Sequence, residues 1–309
     1  PAQPHRLHRV GAVTPLDAKT IQRDALLQRL CAITYAQESV AAHTAAELGY
    51  RLIEHIHDPE TGADAMIFAS NIDIVIAFRG TEKNHADIMT DLKFRRRAFF
   101  RHAGGSAVEV HRGFFAQWES IMDRVYACAK PASVGGLDII ATGHSLGGAL
   151  AVLCAIEWRW ISQLVTFGAP RVGDAAIVKA TQRLDIAHRR YVYGADVVPI
   201  VPLMAMGYRH DTRPIYLTRS GHAITACPLW GEFVGRARAL LTVRWEQGWT
   251  CRGSSPITGS ASTAAHWESC LDDRYRRRSP GARTVTSGQG VAAPRASPPD
   301  RHDALLHLR

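Results

Sequence analysis

The sequence predicts an α/β fold in which a mostly parallel central sheet carries helices on both faces. Runs of β-branched and apolar residues alternate along the chain with segments that repeat apolar side chains at helical spacing. Parallel strands need long crossover connections, so strands separated by helices favour a parallel sheet. The 309 residues are 46% hydrophobic and 21% charged, which are the proportions of a chain that folds around a packed core.

The first half of the chain is predicted to contain two helices and two strands. Residues 16–37 repeat apolar side chains at helical spacing, and Asp17 or Thr20 can cap the first turn of that helix. Residues 65–78 hold two β-rich runs separated by a polar turn, which predicts a hairpin or two adjacent strands. Residues 113–130 again have helical spacing and precede the next strand.

Strands and helices alternate regularly in the second half. The predicted strands are 137–142, 164–167, 189–193 and 213–218, and the predicted helices are 146–158, 174–184 and 228–241. This order is typical of right-handed β-α-β units, in which the strands are parallel and their carboxyl ends meet at one edge of the sheet.

Composition divides the chain into three parts. Residues 1–16 are an N-terminal extension, residues 17–278 form the α/β domain, and residues 279–309 are predicted to be a disordered tail. Much of the tail consists of Ser, Pro, Gly, Arg and Ala, which bury too little apolar surface to offset the entropy of ordering. The fold prediction therefore applies to the middle part.

Charge and hydropathy bear on location and partners. No apolar run reaches the roughly 18 residues that cross a bilayer, and residues 1–19 lack the apolar core of an export signal. We therefore expect a cytoplasmic protein by default, with export by a route that needs no N-terminal signal as the alternative.

The net charge of +9 favours anionic partners, but without a nucleic-acid-binding motif no nucleic acid is expected. Oligomeric state is not indicated.

The six cysteines do not point to a disulfide scaffold or a metal site. They show neither C-x-x-C pairing nor the density of a small disulfide-rich domain. We interpret them as mostly buried free thiols, with Cys251 and Cys270 as the one pair worth testing for a disulfide. No metal ligand set and no cofactor are predicted.

A G-x-S-x-G motif at Gly143–Gly147 carries the first catalytic prediction. It lies between a predicted strand and a predicted helix, where such a motif holds a serine on a sharp, strained turn. The flanking glycines have no Cβ atoms, which would otherwise collide with the strand and the helix. We expect the Ser145 hydroxyl to stand at the carboxyl edge of the sheet as a nucleophile, with the Leu146 amide facing the developing oxyanion.

A nucleophilic serine needs a base and a carboxylate that orients the base, in the chain order Ser, acid, His for this architecture. Asp196 follows the predicted strand 189–193 and would lie at the same sheet edge as Ser145. Asp174 is a competitor, but it precedes a predicted helix and is better explained as its N-cap. Asp196 is therefore the predicted acid.

Six collinear motifs resemble those of the class 3 lipases, the fungal triacylglycerol lipase-like family. They are FRGTE (78–82), TDL (90–92), VHRGF (110–114), GHSLGGAL (143–150), TFGAPRVGD (166–174) and GADVVPIVP (194–202), within about residues 20–220. The resemblance implies an α/β-hydrolase fold and hydrolysis of carboxyl esters of lipids. It also implies Ser145 as nucleophile, Asp196 as acid and Thr81 as an oxyanion-hole residue at the end of a strand.

The resemblance leaves the base open between two histidines. In AHWESCL (265–271), His266 resembles the histidine of the family's final segment, although Cys270 stands where an aromatic is usual. His222 is the alternative, because it follows the predicted strand 213–218 at the correct edge. His210 precedes that strand and resembles the family's structural histidine. We predict His266 as the base.

The sequence gives less specific signals for the substrate and for contacts with surfaces than for the catalytic residues. The family carries a lid where residues 82–90 lie here, and this segment has a weak apolar face. The basic stretch 93–101 lies largely in the segment FRRRAFFRHAGG (94–105), which is interpreted as a solvated hairpin, with peripheral contact to an anionic lipid surface as the alternative. A lipid or small ester is the expected substrate. The alternatives are a phospholipase, a non-lipid small-ester esterase, and a catalytically weak binding or effector protein.

Overall fold

The computed structural model describes residues 16–81, 96–99, 107–193, 196, 198–217 and 223–224, of which 96–99 and 223–224 are described as backbone only. Within these residues, eight strands form one sheet and two others form a separate hairpin. The predicted helix 228–241 and the predicted tail 279–309 lie outside them. The predicted limits of the α/β domain, at residues 17 and 278, therefore stay predictions.

The chain alternates between strands and helices. The strands are β1 (Arg51–Asp58), β2 (Ala63–Ala69), β3 (Asp73–Phe78), β4 (Arg96–Phe99), β5 (Val108–His111), β6 (Asp138–His144), β7 (Gln163–Phe167), β8 (Ala187–Tyr193), β9 (Pro214–Leu217) and β10 (Ala223–Ile224). The helices are α1 (Ala18–Ile33), α2 (Glu38–Glu47), α3 (Arg112–Val134), α4 (Leu146–Glu157) and α5 (Ala175–Gln182). Short 3₁₀ turns occupy Val198–Ile200 and Met204–Met206.

The large sheet has the order β1-β2-β3-β6-β7-β8-β9-β10. Strands β3, β6, β7, β8 and β9 are parallel, whereas β1, β2 and β10 pair antiparallel at the two sides. Phe78 of β3 pairs with Gly143 of β6, and Phe167 of β7 pairs with both His144 of β6 and Tyr191 of β8. The carboxyl ends of the central strands therefore meet at one edge.

Helices pack on both faces of this sheet, as predicted. Ile74, Ile76 and Phe78 of β3 belong to the core under α3 and α4, whereas Val75 and Ala77 belong to the core under α1 and α2. This alternation follows from the two-residue repeat of a strand. Because both faces are covered, β3 is apolar at five of six positions and all six residues are buried.

Helix boundaries follow the predicted capping signals. The Asp17 carboxylate accepts a hydrogen bond from the Thr20 amide at 2.8 Å, and the Asp174 carboxylate accepts one from the Ala176 amide at 3.0 Å. Asp174 therefore caps α5, as predicted. Among the described helices, none has the length and apolarity that a membrane span requires.

Among the described elements, β1, α2, β5 and the two-residue strand β10 were not predicted. Strand β1 lies at the side of the sheet and buries only Ile56 of its eight residues, so its sequence carries a weak apolar signal. Helix α2 is short, and of its residues only Ala41 and Ala45 are buried. Strand β5 lies after the basic segment and pairs antiparallel with β4.

The cysteines in the described part of the chain are free thiols. Cys31 and Cys154 are buried, as predicted, and Cys128 is partly exposed. Burial raises the pKa of Cys31 to about 12, which keeps it protonated and unreactive at neutral pH. Cys251 and Cys270 lie outside the described residues.

Candidate active site

The turn between β6 and α4 holds Ser145 in a strained backbone conformation. Its φ of 55° and ψ of −126° lie outside the usual regions for a residue with a side chain. Two backbone hydrogen bonds hold the turn: the Ser145 amide donates to the Phe167 carbonyl at 2.9 Å, and the Gly148 amide donates to the Ser145 carbonyl at 2.9 Å. Such strain persists only where the surrounding structure imposes it, as at reactive residues.

The glycines of the motif are required by close packing. A Cβ on Gly143 would overlap the backbone of Gly147, and a Cβ on Gly147 would overlap the carbonyl group of Phe78. Neither glycine has a positive φ. The motif therefore brings strand, turn and helix backbones into contact, which is the reason predicted from the sequence.

The Ser145 hydroxyl is enclosed and uncommitted within the described structure. The residue is 5% exposed, and its Oγ has no hydrogen-bond partner among the described residues. A buried hydroxyl normally has a partner, because leaving it unpaired costs about 1 to 3 kcal/mol. The predicted base, His266, and the alternative, His222, both lie outside the described residues.

The segment after β3 passes directly beside this turn. A Cβ built on Gly80 would lie 3.1 Å from the Ser145 Cβ and would overlap the His144 carbonyl oxygen. Thr81 follows Gly80 and is partly exposed. On the other side of Ser145, Leu146 begins α4, whose first amides have no acceptor within the helix. The residue before Thr81 and the residue after Ser145 therefore both lie next to the serine, and the oxyanion roles of Thr81 and Leu146 stay predictions.

Asp196 lies beyond the carboxyl end of β8, at the edge that carries Ser145. Its amide donates to the Tyr193 carbonyl at 2.9 Å, and its Oδ1 accepts a hydrogen bond from the Val198 amide at 2.9 Å. These bonds hold the carboxylate in a tight turn after the strand. The predicted acid and nucleophile thus share one sheet edge, because β6, β7 and β8 are parallel and in register.

His210 has a structural environment. Its Nε2 lies 2.6 Å from the Pro199 carbonyl oxygen and donates to it, which leaves this nitrogen committed to the backbone. Burial, together with the nearby Arg190 guanidinium, lowers the pKa of His210 well below its usual value. This fits the structural role implied by the resemblance.

Tyr35 is a neighbour of the site that the sequence analysis missed. Its hydroxyl lies 3.1 Å from the Gly80 amide nitrogen and 3.1 Å from Nδ1 of His144. From the sequence it counts as one more apolar position at the end of the first helix. No local motif marks it, because its partners are Gly80, which follows β3, and His144 of β6, both distant in the sequence.

Comparison with known proteins identifies the family. Residues 75–206 match the family described as lipase (class 3). They include the Ser145 turn, the Gly80–Thr81 segment and Asp196. This part of the chain belongs to the class 3 lipase family. The expected α/β-hydrolase fold is confirmed, because fungal lipases with that fold are structural neighbours of the lipase domain.

Several fungal proteins are similar to this chain. A secreted mono- and diacylglycerol lipase from Fusarium solani is 32% identical over 169 residues, which cover 52% of this chain and 49% of that protein. A Rhizomucor miehei lipase is 31% identical over 133 residues, covering 40% and 37%. The structure of the Rhizomucor miehei lipase propeptide complex has a TM-score of 0.59 at 25% identity, covering 65% and 70%. The chain thus spans about half the length of the first relative, and less of the second.

One expectation is corrected by these relatives. The sequence analysis placed the protein in the cytoplasm by default, because residues 1–19 lack the apolar core of an export signal. The Fusarium relative of the lipase domain is named as a secreted protein, and so are relatives from Penicillium. The cytoplasmic expectation is therefore wrong.

Proposed function

We propose that this protein is a serine hydrolase that cleaves carboxyl esters of lipids through an acyl-enzyme intermediate. The observation that carries the proposal is Ser145 itself. It is held on a strained strand-to-helix turn, its hydroxyl is enclosed without a partner in the described structure, and Gly80 packs against it. The fungal relatives are named as lipases, which supports an ester of a lipid as substrate.

The proposed mechanism assigns one role to each site residue. His266 accepts the Ser145 proton while Oγ attacks the ester carbonyl, and Asp196 orients the imidazole and stabilises its positive charge. Thr81 and the Leu146 amide stabilise the tetrahedral oxyanion. The imidazolium then protonates the leaving alcohol, and a water activated by the same base hydrolyses the acyl-enzyme. His222 is the alternative base, and no metal or cofactor enters these steps.

Ester hydrolysis by the purified chain tests the proposal. Turnover of p-nitrophenyl esters of increasing acyl length, compared with phospholipids, separates a lipase from a phospholipase and from a small-ester esterase. A fluorophosphonate probe should label Ser145, because it reacts with activated serines. Absence of both turnover and labelling would favour the binding or effector alternative.

Thr81→Ala should lower kcat by about a hundredfold to a thousandfold if the threonine hydroxyl is an oxyanion donor. The transition state would lose one stabilising bond, whereas the ground-state carbonyl accepts it only weakly, so KM should change little. Thr81→Ser retains a hydroxyl and should keep most of the activity. If Thr81→Ala turned over within threefold of the wild type, the hydroxyl would have no such role.

We also propose a peripheral contact with anionic lipid surfaces through the basic stretch 93–101. Neutral substitutions test this contact. Replacing Arg95, Arg96 and Arg97 with glutamine should weaken binding to phosphatidylglycerol-containing vesicles on the order of a hundredfold at low salt, at about 1 kcal/mol per arginine. The same substitution at residues 276–278 removes equal charge elsewhere and serves as control. Equal binding of the wild type to anionic and neutral vesicles would dismiss the contact.

A further inference from the structure

Tyr35 is placed beside the catalytic turn by the docking of α1 on the sheet. Near the end of this helix, Cys31 Sγ lies 3.3 Å from the Thr142 hydroxyl of β6. Thr34 caps the helix and its hydroxyl donates to the Cys31 carbonyl at 2.8 Å, while the Tyr35 amide donates to the Ala32 carbonyl at 3.2 Å. The position of the phenol ring therefore follows from buried contacts of the helix before it.

The Tyr35 hydroxyl joins the two halves of the site. The Gly80 amide donates to the phenol oxygen at 3.1 Å, so the phenol keeps its own hydrogen to donate. Nδ1 of His144, at 3.1 Å, is the acceptor that the described structure offers. His144 immediately precedes Ser145, and Gly80 immediately precedes Thr81. One hydroxyl thus connects the residue before the nucleophile with the residue before the predicted oxyanion donor.

A second set of contacts holds the same segment from the other side. The Arg79 guanidinium lies 5.4 Å from the centre of the Tyr35 ring and 3.5 Å from Asp64 Oδ2. The Arg79 amide also donates to the Asp64 carbonyl at 3.0 Å. The buried Asp64 carboxylate is itself held by His55 at 3.2 Å and by His57 at 3.1 Å. The start of the segment is therefore fixed, and the Tyr35 hydroxyl sets how Gly80 and Thr81 continue from it.

Only glycine, which has no side chain, fits at position 80. A Cβ at this position would overlap both the Tyr35 hydroxyl and the His144 carbonyl oxygen. The three groups are therefore in direct contact, with no room for a water molecule between them. A displacement of one group has to move the others.

From this geometry we infer that Tyr35 is a positioning residue, whose hydroxyl holds the Gly80–Thr81 segment at the distance from Ser145 that oxyanion stabilisation requires. The inference rests on the proposed hydrolase function. An oxyanion donor contributes fully only when it lies about 2.7 to 3.1 Å from the developing charge. A small shift of this segment therefore reduces the stabilisation of the transition state more than it reduces the affinity for substrate.

Tyr35→Phe tests the inference, because it removes the hydroxyl and keeps the ring that packs against Arg79. We expect kcat to fall by about tenfold, the equivalent of one ordinary hydrogen bond lost from the transition state. KM should stay within about twofold. A residue that only supports the fold would lower the melting temperature without this selective loss of kcat.

The matched control is Tyr50→Phe. Tyr50 is a buried tyrosine whose hydroxyl, like that of Tyr35, makes hydrogen bonds, to Asp73 at 2.9 Å and from Arg23 at 2.6 Å, but Asp73 begins β3 at the opposite edge of the sheet. Tyr50→Phe should lower the melting temperature at least as much as Tyr35→Phe and leave kcat unchanged. Equal kcat for Tyr35→Phe and the wild type, or an equal loss of kcat in Tyr50→Phe, would overturn the inference.

A double-mutant cycle with Thr81 identifies the route of the effect. If Tyr35 acts through Thr81, Tyr35→Phe should lower kcat less than threefold in the Thr81→Ala background. If the kcat losses of the two single variants multiplied in the double variant, the inference would be overturned. Wild-type turnover that Ser145→Ala abolishes establishes the hydrolase separately, so a failure of Tyr35→Phe alone leaves the proposed function intact. A wild-type chain without turnover would remove the proposed function, and the inference with it.

Discussion

Ser145→Ala should lower kcat for p-nitrophenyl butyrate by about a millionfold. The change removes the atom that attacks the ester, so the acyl-enzyme cannot form and the reaction reverts to attack by water. The residual rate should stay about a thousandfold or more above the uncatalysed reaction, since the oxyanion donors and substrate contacts remain. Steady-state kinetics of the variant, compared with the wild type and with spontaneous hydrolysis of the ester, measure the two quantities.

A serine at the opposite edge of the sheet provides the control. Ser162 lies just before β7, and its hydroxyl donates to the Ile139 carbonyl at 3.0 Å. Ser162→Ala removes a hydroxyl of equal size and should leave turnover and fluorophosphonate labelling unchanged. Labelling should disappear only in Ser145→Ala. Nearly unchanged ester hydrolysis in the Ser145 variant would rule out the mechanism.

His266→Ala should lower kcat by about as much as Ser145→Ala, because the serine and its base act as one unit. Without an imidazole, the hydroxyl proton has no acceptor and the leaving alcohol has no donor. His222→Ala should remain within about threefold of the wild type. The two variants, measured in parallel on esters of graded acyl length, locate the base and narrow the substrate.

His43→Ala is the matched control for the histidine pair. His43 lies on α2 with its side chain 80% exposed, so its removal should affect neither turnover nor stability. A large loss in His222→Ala with an active His266→Ala would transfer the role of base to His222. If both variants kept wild-type turnover, neither imidazole would be the base and the proposed triad would fail.

The Ser145 turn could be predicted because its signals are local. An apolar run, a G-x-S-x-G turn and a second apolar run occupy one continuous segment, and the structure has β6, the strained turn and α4 in those places. The N-caps at Asp17 and Asp174 could be predicted for the same reason, since each carboxylate binds an amide two or three residues along. The signal for β1 was weak, since a strand at the side of a sheet buries little.

The relation between separate segments could be predicted only in outline. Parallel strands imply that residues following β3, β6 and β8 share one edge, and Thr81, Ser145 and Asp196 do so. The sequence did not indicate how closely Gly80 packs against Ser145. Nor did it indicate Tyr35, which is 45 residues from Gly80 and 109 from His144 in the chain.

By itself, then, the sequence determined the fold class, the identity of the nucleophile turn and the edge of the sheet where chemistry is expected. These depend on hydrophobic periodicity and on steric demands within a few consecutive residues. Only the tertiary structure decided which distant groups surround the serine. Contacts such as the Tyr35 hydroxyl with Gly80 and His144 arise when α1 docks on β6, and that docking depends on side-chain packing over the whole face of the sheet.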